Sequence, residues 1–314
     1  MRWYRTLLFV LAASSPFIIA VAIGQQPTPP PAGQTPSAPP PPRVVKPNAE
    51  GAKVLADAIR QLDSKNLTSI QTTFWEQADL QGLTFQAEGK YVSAPGHHLH
   101  LDLQVHMADT GGKLEVVSDG ERLWEAVQFG QQPRVVTKVE LSKVLDSIKG
   151  HTSADQVREE FFQAQSFAGV GPLLQSVQKR MIVTNRENVQ RDGKSFIKLT
   201  ADWGPEIAKA ISAPDKPWPA YLARQCVIYF ESLEKEKVLW PRRLEWWGPA
   251  PPRPGESLLL QIEFRDPKLN QPIPPERIAK EFKFDPGPTE PPDRTEQFVG
   301  DVKARAEQLA GKQK

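Results

Sequence analysis

With one cysteine in 314 residues, this chain has no internal disulfide to staple it, and nothing around Cys226 has the Cys/His spacing of a metal site. Cys226 reads as core. The usual catalytic signatures are missing as well: there is no G-x-S-x-G, no H-E-x-x-H and no G-x-x-x-x-G-K-[ST]. Gly169-Val170-Gly171 lacks the third glycine that lets a helix approach a pyrophosphate. Asp109-Thr110-Gly111 occurs once, whereas aspartic-protease chemistry needs two such carboxylates sharing a proton, so a turn is the simpler account. The chain is expected to be non-enzymatic and to need no cofactor or metal. Charge of one sign is lacking too: 39 basic against 37 acidic side chains give a formal net charge of +2. Arg2 and Arg5 account for the excess, so the chain beyond residue 24 is balanced. Without clustered basic charge there is no electrostatic footprint for nucleic acid.

Long apolar runs are limited to residues 7–23, which follow Arg2 and Arg5 and end at Ala22-Ile23-Gly24. This pattern predicts a secretory signal over residues 1–24, with an uncleaved membrane anchor as the rival reading. No Cys follows the run, which excludes lipid attachment at the cleavage point. Ten of the 23 residues from 25 to 47 are Pro, so residues 25–48 read as an extended spacer and residues 49–314 as the folded domain.

Residues 49–65 place Val54, Leu55, Ala58, Ile59 and Leu62 on one helical stripe. Alternation then takes over at residues 83–91 and 99–107, the second spanning roughly 30 Å, which suits a wide curved sheet. Asp119-Gly120 is a strong hairpin signal between strands at 114–118 and 123–127, and a further strand follows at 134–138. Helices are expected at 139–149 and 153–179, the latter opened by Ser153 and Gln156 and broken at Gly169 and Gly171. Strands at 181–190, 195–202, 225–231, 238–247, 258–265 and 278–284 complete about a dozen, with helices at 205–211 and 302–309. Each strand carries one apolar and one wet side. On the wet side of the second long strand lie His98, His100, Asp102 and His106, a spacing that could reach zinc but that reads as a solvated face.

So large a one-sided sheet offers more apolar surface than one or two helices cover tightly, which points to an apolar hollow able to take a ligand. The candidate lining is Phe85, Leu101, Leu103, Val116, Phe161, Leu173, Leu244, Trp246, Leu260 and Ile262. Phe161, Phe162 and Phe167 ahead of the two glycines would belong to a helical lid.

Several pieces, in order along the chain, resemble the outer-membrane lipoprotein carriers of the LolA/LolB-like family. They are Leu67-Thr68-Ser69-Ile70-Gln71-Thr72-Thr73-Phe74 after the first helix, Val117-Ser118-Asp119-Gly120 leading to Leu123-Trp124, and Leu239-Trp240-Pro241-Arg242-Arg243-Leu244-Glu245-Trp246. Phe282-Lys283-Phe284-Asp285-Pro286-Gly287 resembles the closing strand of that family. The resemblance implies an α+β fold: a strongly curved antiparallel sheet, an incomplete barrel, lidded by helices. It also implies acyl chains of a lipid or lipoprotein as cargo, or an envelope membrane protein as partner where the fold serves as an envelope-stress sensor. Pro-rich stretches at 214–219 and 249–254 read as insertions relative to a minimal carrier.

Overall fold

The computed structural model describes residues 45–62, 66–80, 83–107, 110–151, 154, 157, 169–211, 218–219, 222–235, 237–250 and 253–311. The segments expected as export signal and spacer, up to residue 44, and Asp109, Ser153, Gln156, Phe161, Phe162 and Phe167 lie outside the described residues.

Helix α1 (Ala49–Gln61) starts where the Asn48 side chain accepts a hydrogen bond from the Gly51 amide at 2.7 Å. Its buried stripe runs through Leu55 and Ala58. Six strands then follow as an antiparallel meander: β1 (Ile70–Leu80), β2 (Leu83–Ala94), β3 (His98–Met107), β4 (Thr110–Asp119), β5 (Arg122–Phe129) and β6 (Val135–Glu140). The β4–β5 hairpin is set by Asp119, whose carboxylate accepts from the Glu121 and Arg122 amides at 2.9 and 2.7 Å, and by Gly120 at φ 94°. Helices α2 (Leu141–Asp146) and α3 (Val170–Arg180) lead to a second run: β7 (Met181–Arg191), β8 (Lys194–Trp203), helix α4 (Pro205–Ile211), β9 (Gln225–Leu233), β10 (Val238–Ala250) and β11 (Arg253–Leu269). Helices α5 (Pro275–Glu281) and α6 (Thr295–Gly311) end the described chain.

The strands form one open sheet of eleven in the order β6-β5-β4-β3-β2-β1-β11-β10-β9-β8-β7. Each meander starts or ends at the centre, where β1 pairs with β11, so the two halves meet along that seam. Register shifts in β1, β7, β10 and β11 bend the strands. At Gly89 a Cβ would run into the Asp102 carbonyl, so only glycine allows β2 and β3 their approach. Backbone bonds from the ends of the domain reach both outer strands. The Asn48 amide donates to the Val183 carbonyl at 2.8 Å, and Lys138 bonds to Pro292 and Arg294 at 3.1 and 2.9 Å. Helices α1 and α3 pack together over β7, with α1 also on β10, while α2 and α6 pack together over β5 and β6.

This is the α+β architecture expected, an open curved antiparallel sheet with helices. Several elements differ from expectation. Strand β1, at the centre of the sheet, was not among the expected strands. Residues 278–284 were expected as a strand; instead Pro274 and Pro275 open helix α5, and the chain then runs extended across the outer face. Either side of 251–252, which lie outside the described residues, Pro249 and Ala250 pair with Glu256 and Arg253, with a register shift between Pro249 and Ala250. Val139 and Glu140 belong to β6, so helix α2 is shorter than expected. Strand β4 begins at Thr110, ahead of the expected start.

Candidate functional site: the concave face of the sheet

Eight of the ten expected lining residues fall on one face of the sheet and Leu173 joins them in one buried cluster, with exposures of 0 to 8 %. Phe85, Leu101, Leu103 and Val116 come from β2, β3 and β4, Leu244 and Trp246 from β10, Leu260 and Ile262 from β11, and Leu173 from helix α3. Phe161 lies outside the described residues. The register shows how the strands align this face: Leu199, Ile228, Leu244, Ile262, Glu76, Ala87, Val105, Gly112 and Phe129 stand directly opposite one another in turn, from β8 across to β5. Directly opposed residues share a face, so this row crosses the floor of the concave side.

One member of that row is a carboxylic acid. Glu76 is 4 % exposed and shares the inward set of β1 with Ile70, Phe74 and Ala78. Ala87 and Ile262 are its direct cross-strand neighbours, and among the described residues no hydrogen bond or ion pair reaches it. Burial alone therefore pushes its carboxyl up to about 8, so the neutral acid is favoured at pH 7. Sequence reasoning missed this residue. The signal was available in the spacing of Ile70, Phe74 and Ala78, which encloses Glu76 at period two.

Of the other polar groups on this side, the Ser176 hydroxyl of α3 is also buried without a hydrogen-bond partner among the described residues. Tyr91 is buried on β2 beneath the start of α3, where Gly169 at φ 105° leaves room for its hydroxyl. Desolvation raises that phenol to about 12 against an opposing hydrogen bond with Ser93. The glycines expected to break the middle helical segment prove to be the N-cap of α3 and a residue of its first turn packed on the Leu62 carbonyl. Trp240 donates its indole N–H to the Phe264 carbonyl at 3.1 Å, and Trp203 to that of Ala223 at 2.7 Å. Cys226 is fully buried, and burial raises its thiol, which disfavours the reactive thiolate.

The convex face is not uniformly wet as expected. Over β4 and β5 it carries a second apolar cluster of Val117, Ala126 and Phe284, with Phe284 stacked on Trp124 at 5.6 Å and 17°. Over β9 to β11 it carries paired charges: Glu245 accepts from Arg243 at 2.5 Å and from the Trp247 indole at 3.0 Å, while Arg243 also reaches Glu263 at 3.1 Å. The histidine face of β3 is covered at its start, by α5 and Phe282, and solvated at its end, where His106 is exposed. His100 lies 3.3 Å from Glu281 of α5 and 3.9 Å from Glu115, and His98 packs on Phe282 at 5.0 Å. Asp102 pairs with Lys113 at 3.2 Å. Among the described residues no three His, Cys, Asp or Glu side chains come together as a metal site.

No family model matches this chain, and no curated protein matches it in sequence. Solved structures of similar fold include the Mycobacterium tuberculosis lipoprotein LppX, at 16 % identity and a TM-score of 0.35, covering 72 % of this chain and 98 % of that one. A putative outer membrane lipoprotein-sorting protein domain from Vibrio parahaemolyticus shares 8 % identity at a TM-score of 0.25, covering 74 % of this chain and 98 % of that one. In the Pseudomonas aeruginosa MucA/MucB complex the match has 11 % identity and a TM-score of 0.28, covering 73 % of this chain and 60 % of that one. Among the described residues no helix is long and apolar enough to cross a membrane.

Proposed function

We propose that this chain is an exported, non-enzymatic binding protein whose concave face takes the acyl chains of a lipid or lipoprotein. The observation that carries the reading is the single apolar face drawn from both halves of the sheet, with its buried cluster continuing into α1 and α3. A surface of that kind recognises hydrocarbon by area: each methylene moved out of water contributes about 0.8 kcal/mol. Entry of a chain between sheet and helices needs the helices to give way. Residues 1–24 serve as the export signal or anchor, and residues 25–48 as the spacer that holds the domain away from its point of attachment.

Native mass spectrometry of the full chain purified from its own envelope tests this directly. The expected result is an added mass equal to a lipid, lost on organic extraction. Lipid-free protein that copurifies with an envelope membrane protein would favour a sensor or interaction module instead. Substrate turnover abolished by a single polar substitution would overturn the non-enzymatic reading.

A further inference from the structure

We infer that Glu76 is the polar anchor of the concave face, donating a hydrogen bond from its neutral carboxyl to the ester carbonyl oxygen of a bound acyl lipid. The inference rests on the lipid-holding reading above and adds to it the chemistry by which one end of the occupant is recognised.

Glu76 sits in the fifth of nine opposed positions across the floor, and it is the one charged residue type in that row. Its neighbours give it no partner: Ala87 and Ile262 lie opposite, and Phe74 and Ala78 lie two residues to either side. A buried polar group without a hydrogen bond costs free energy, and a buried unpaired charge costs far more. An isosteric apolar residue would be the better choice if the face existed only to pack. The convex face shows how this same sheet treats a structural acid, since Glu245, equally buried, holds Arg243 and Trp247. Glu76 has been left with its bonding capacity unspent among the described residues.

What it could bond follows from its state. Among the described residues no cation or N–H donor reaches it, and burial favours the protonated acid at neutral pH. A neutral carboxyl presents one O–H donor, which matches a carbonyl oxygen. Esters supply that oxygen beside long hydrocarbon without bringing a charge onto the apolar floor. The small side chain of Ala87 directly opposite, and Ala78 beside it, leave Glu76 less crowded than its Phe74 side.

The test uses the delipidated full chain and displacement of a fluorescent apolar probe by methyl palmitate, heptadecane or hexadecylamine. At pH 6.5 the wild type should bind methyl palmitate about tenfold more tightly than heptadecane, the scale of one net hydrogen bond. At pH 9.5 ionisation should shrink that preference to about twofold or less. Glu76→Gln keeps an N–H donor and should hold the preference at both pH values. Glu76→Leu should lose it at both pH values, binding ester and alkane within about twofold of each other. Equal affinity of the wild type for ester and alkane at pH 6.5, or an ester preference that survives in Glu76→Leu, overturns the anchor alone. Tighter binding of hexadecylamine than of the ester overturns the neutral-donor assignment. Binding of none of the three by the wild type overturns the lipid-holding reading, and the anchor with it.

Discussion

Glu76 and Glu245 belong to the same sheet, two strands apart, and water reaches 4 % of one and 3 % of the other. Glu245, on the convex side, is enclosed by Arg243, the Trp247 indole and, at longer range, Tyr229 and Arg191. Glu76, on the concave side, is enclosed by hydrocarbon. Equal burial thus accompanies opposite electrostatics, and what differs is the company each face keeps. A paired buried acid belongs to the framework, because removing it strands its partners. An unpaired one weakens the fold, so its presence needs another explanation.

The largest expected effect that would sharpen this contrast is the pH dependence contributed by Glu76. Its folded carboxyl is raised from about 4.5 to about 8, so between those values the folded chain keeps a proton that the unfolded chain releases. Stability from this group is therefore complete below pH 4.5 and lost as pH rises through 8, by on the order of 4 kcal/mol. Urea unfolding at pH 5 and pH 8.5 should show Glu76→Leu removing most of that slope and exceeding wild-type stability at the higher pH. A variant that tracks the wild type at both would break the comparison. Next is Glu245→Ala, which leaves the Trp247 N–H without its acceptor and Arg243 with Glu263 alone; a loss of about 3 kcal/mol is expected by the same measurement.

A smaller effect should follow at the outer strap. Phe284→Ala removes the stack on Trp124 and the ring beneath Arg134, 4.9 Å away, and should cost about 2 kcal/mol. Hydrogen exchange should place that loss in residues 282–294 while the concave strands keep their protection. Smallest of all, Arg60→Ala breaks the exposed pair with Asp57 on α1 and should shift stability by about 0.3 kcal/mol.

The sequence made the other strands of the sheet more legible than β1. Strands such as β3 and β11 announce themselves because their inward sets, Leu101-Leu103-Val105 and Leu260-Ile262-Phe264, are wholly apolar. In β1 the inward set is Ile70, Thr72, Phe74, Glu76 and Ala78, and two polar members blur the alternation on the strand that holds the halves together. The residue that hides β1 is the one with most to say about the site. Helix α5 was misread for a related reason: Ile278 and Phe282 are four apart, which fits a helical pair as well as an alternating strand. The covering of His100 by Glu281 was not readable at all, since it depends on where a segment more than 170 residues away comes to rest. That the eight strand residues expected to line a hollow share one face was legible because side-chain period and face are tied together in any strand.

The central seam also has a consequence for assembly. Ile70 pairs with Leu269 across about 200 positions, so the most interior pairing of the sheet is also among its most distant in sequence. Each meander can zip up from its own hairpins, but neither gains its inner neighbour until β11 has been delivered. A nascent chain stopped before residue 253 would expose β1 and β10 as raw borders, and the concave floor would be split down its middle.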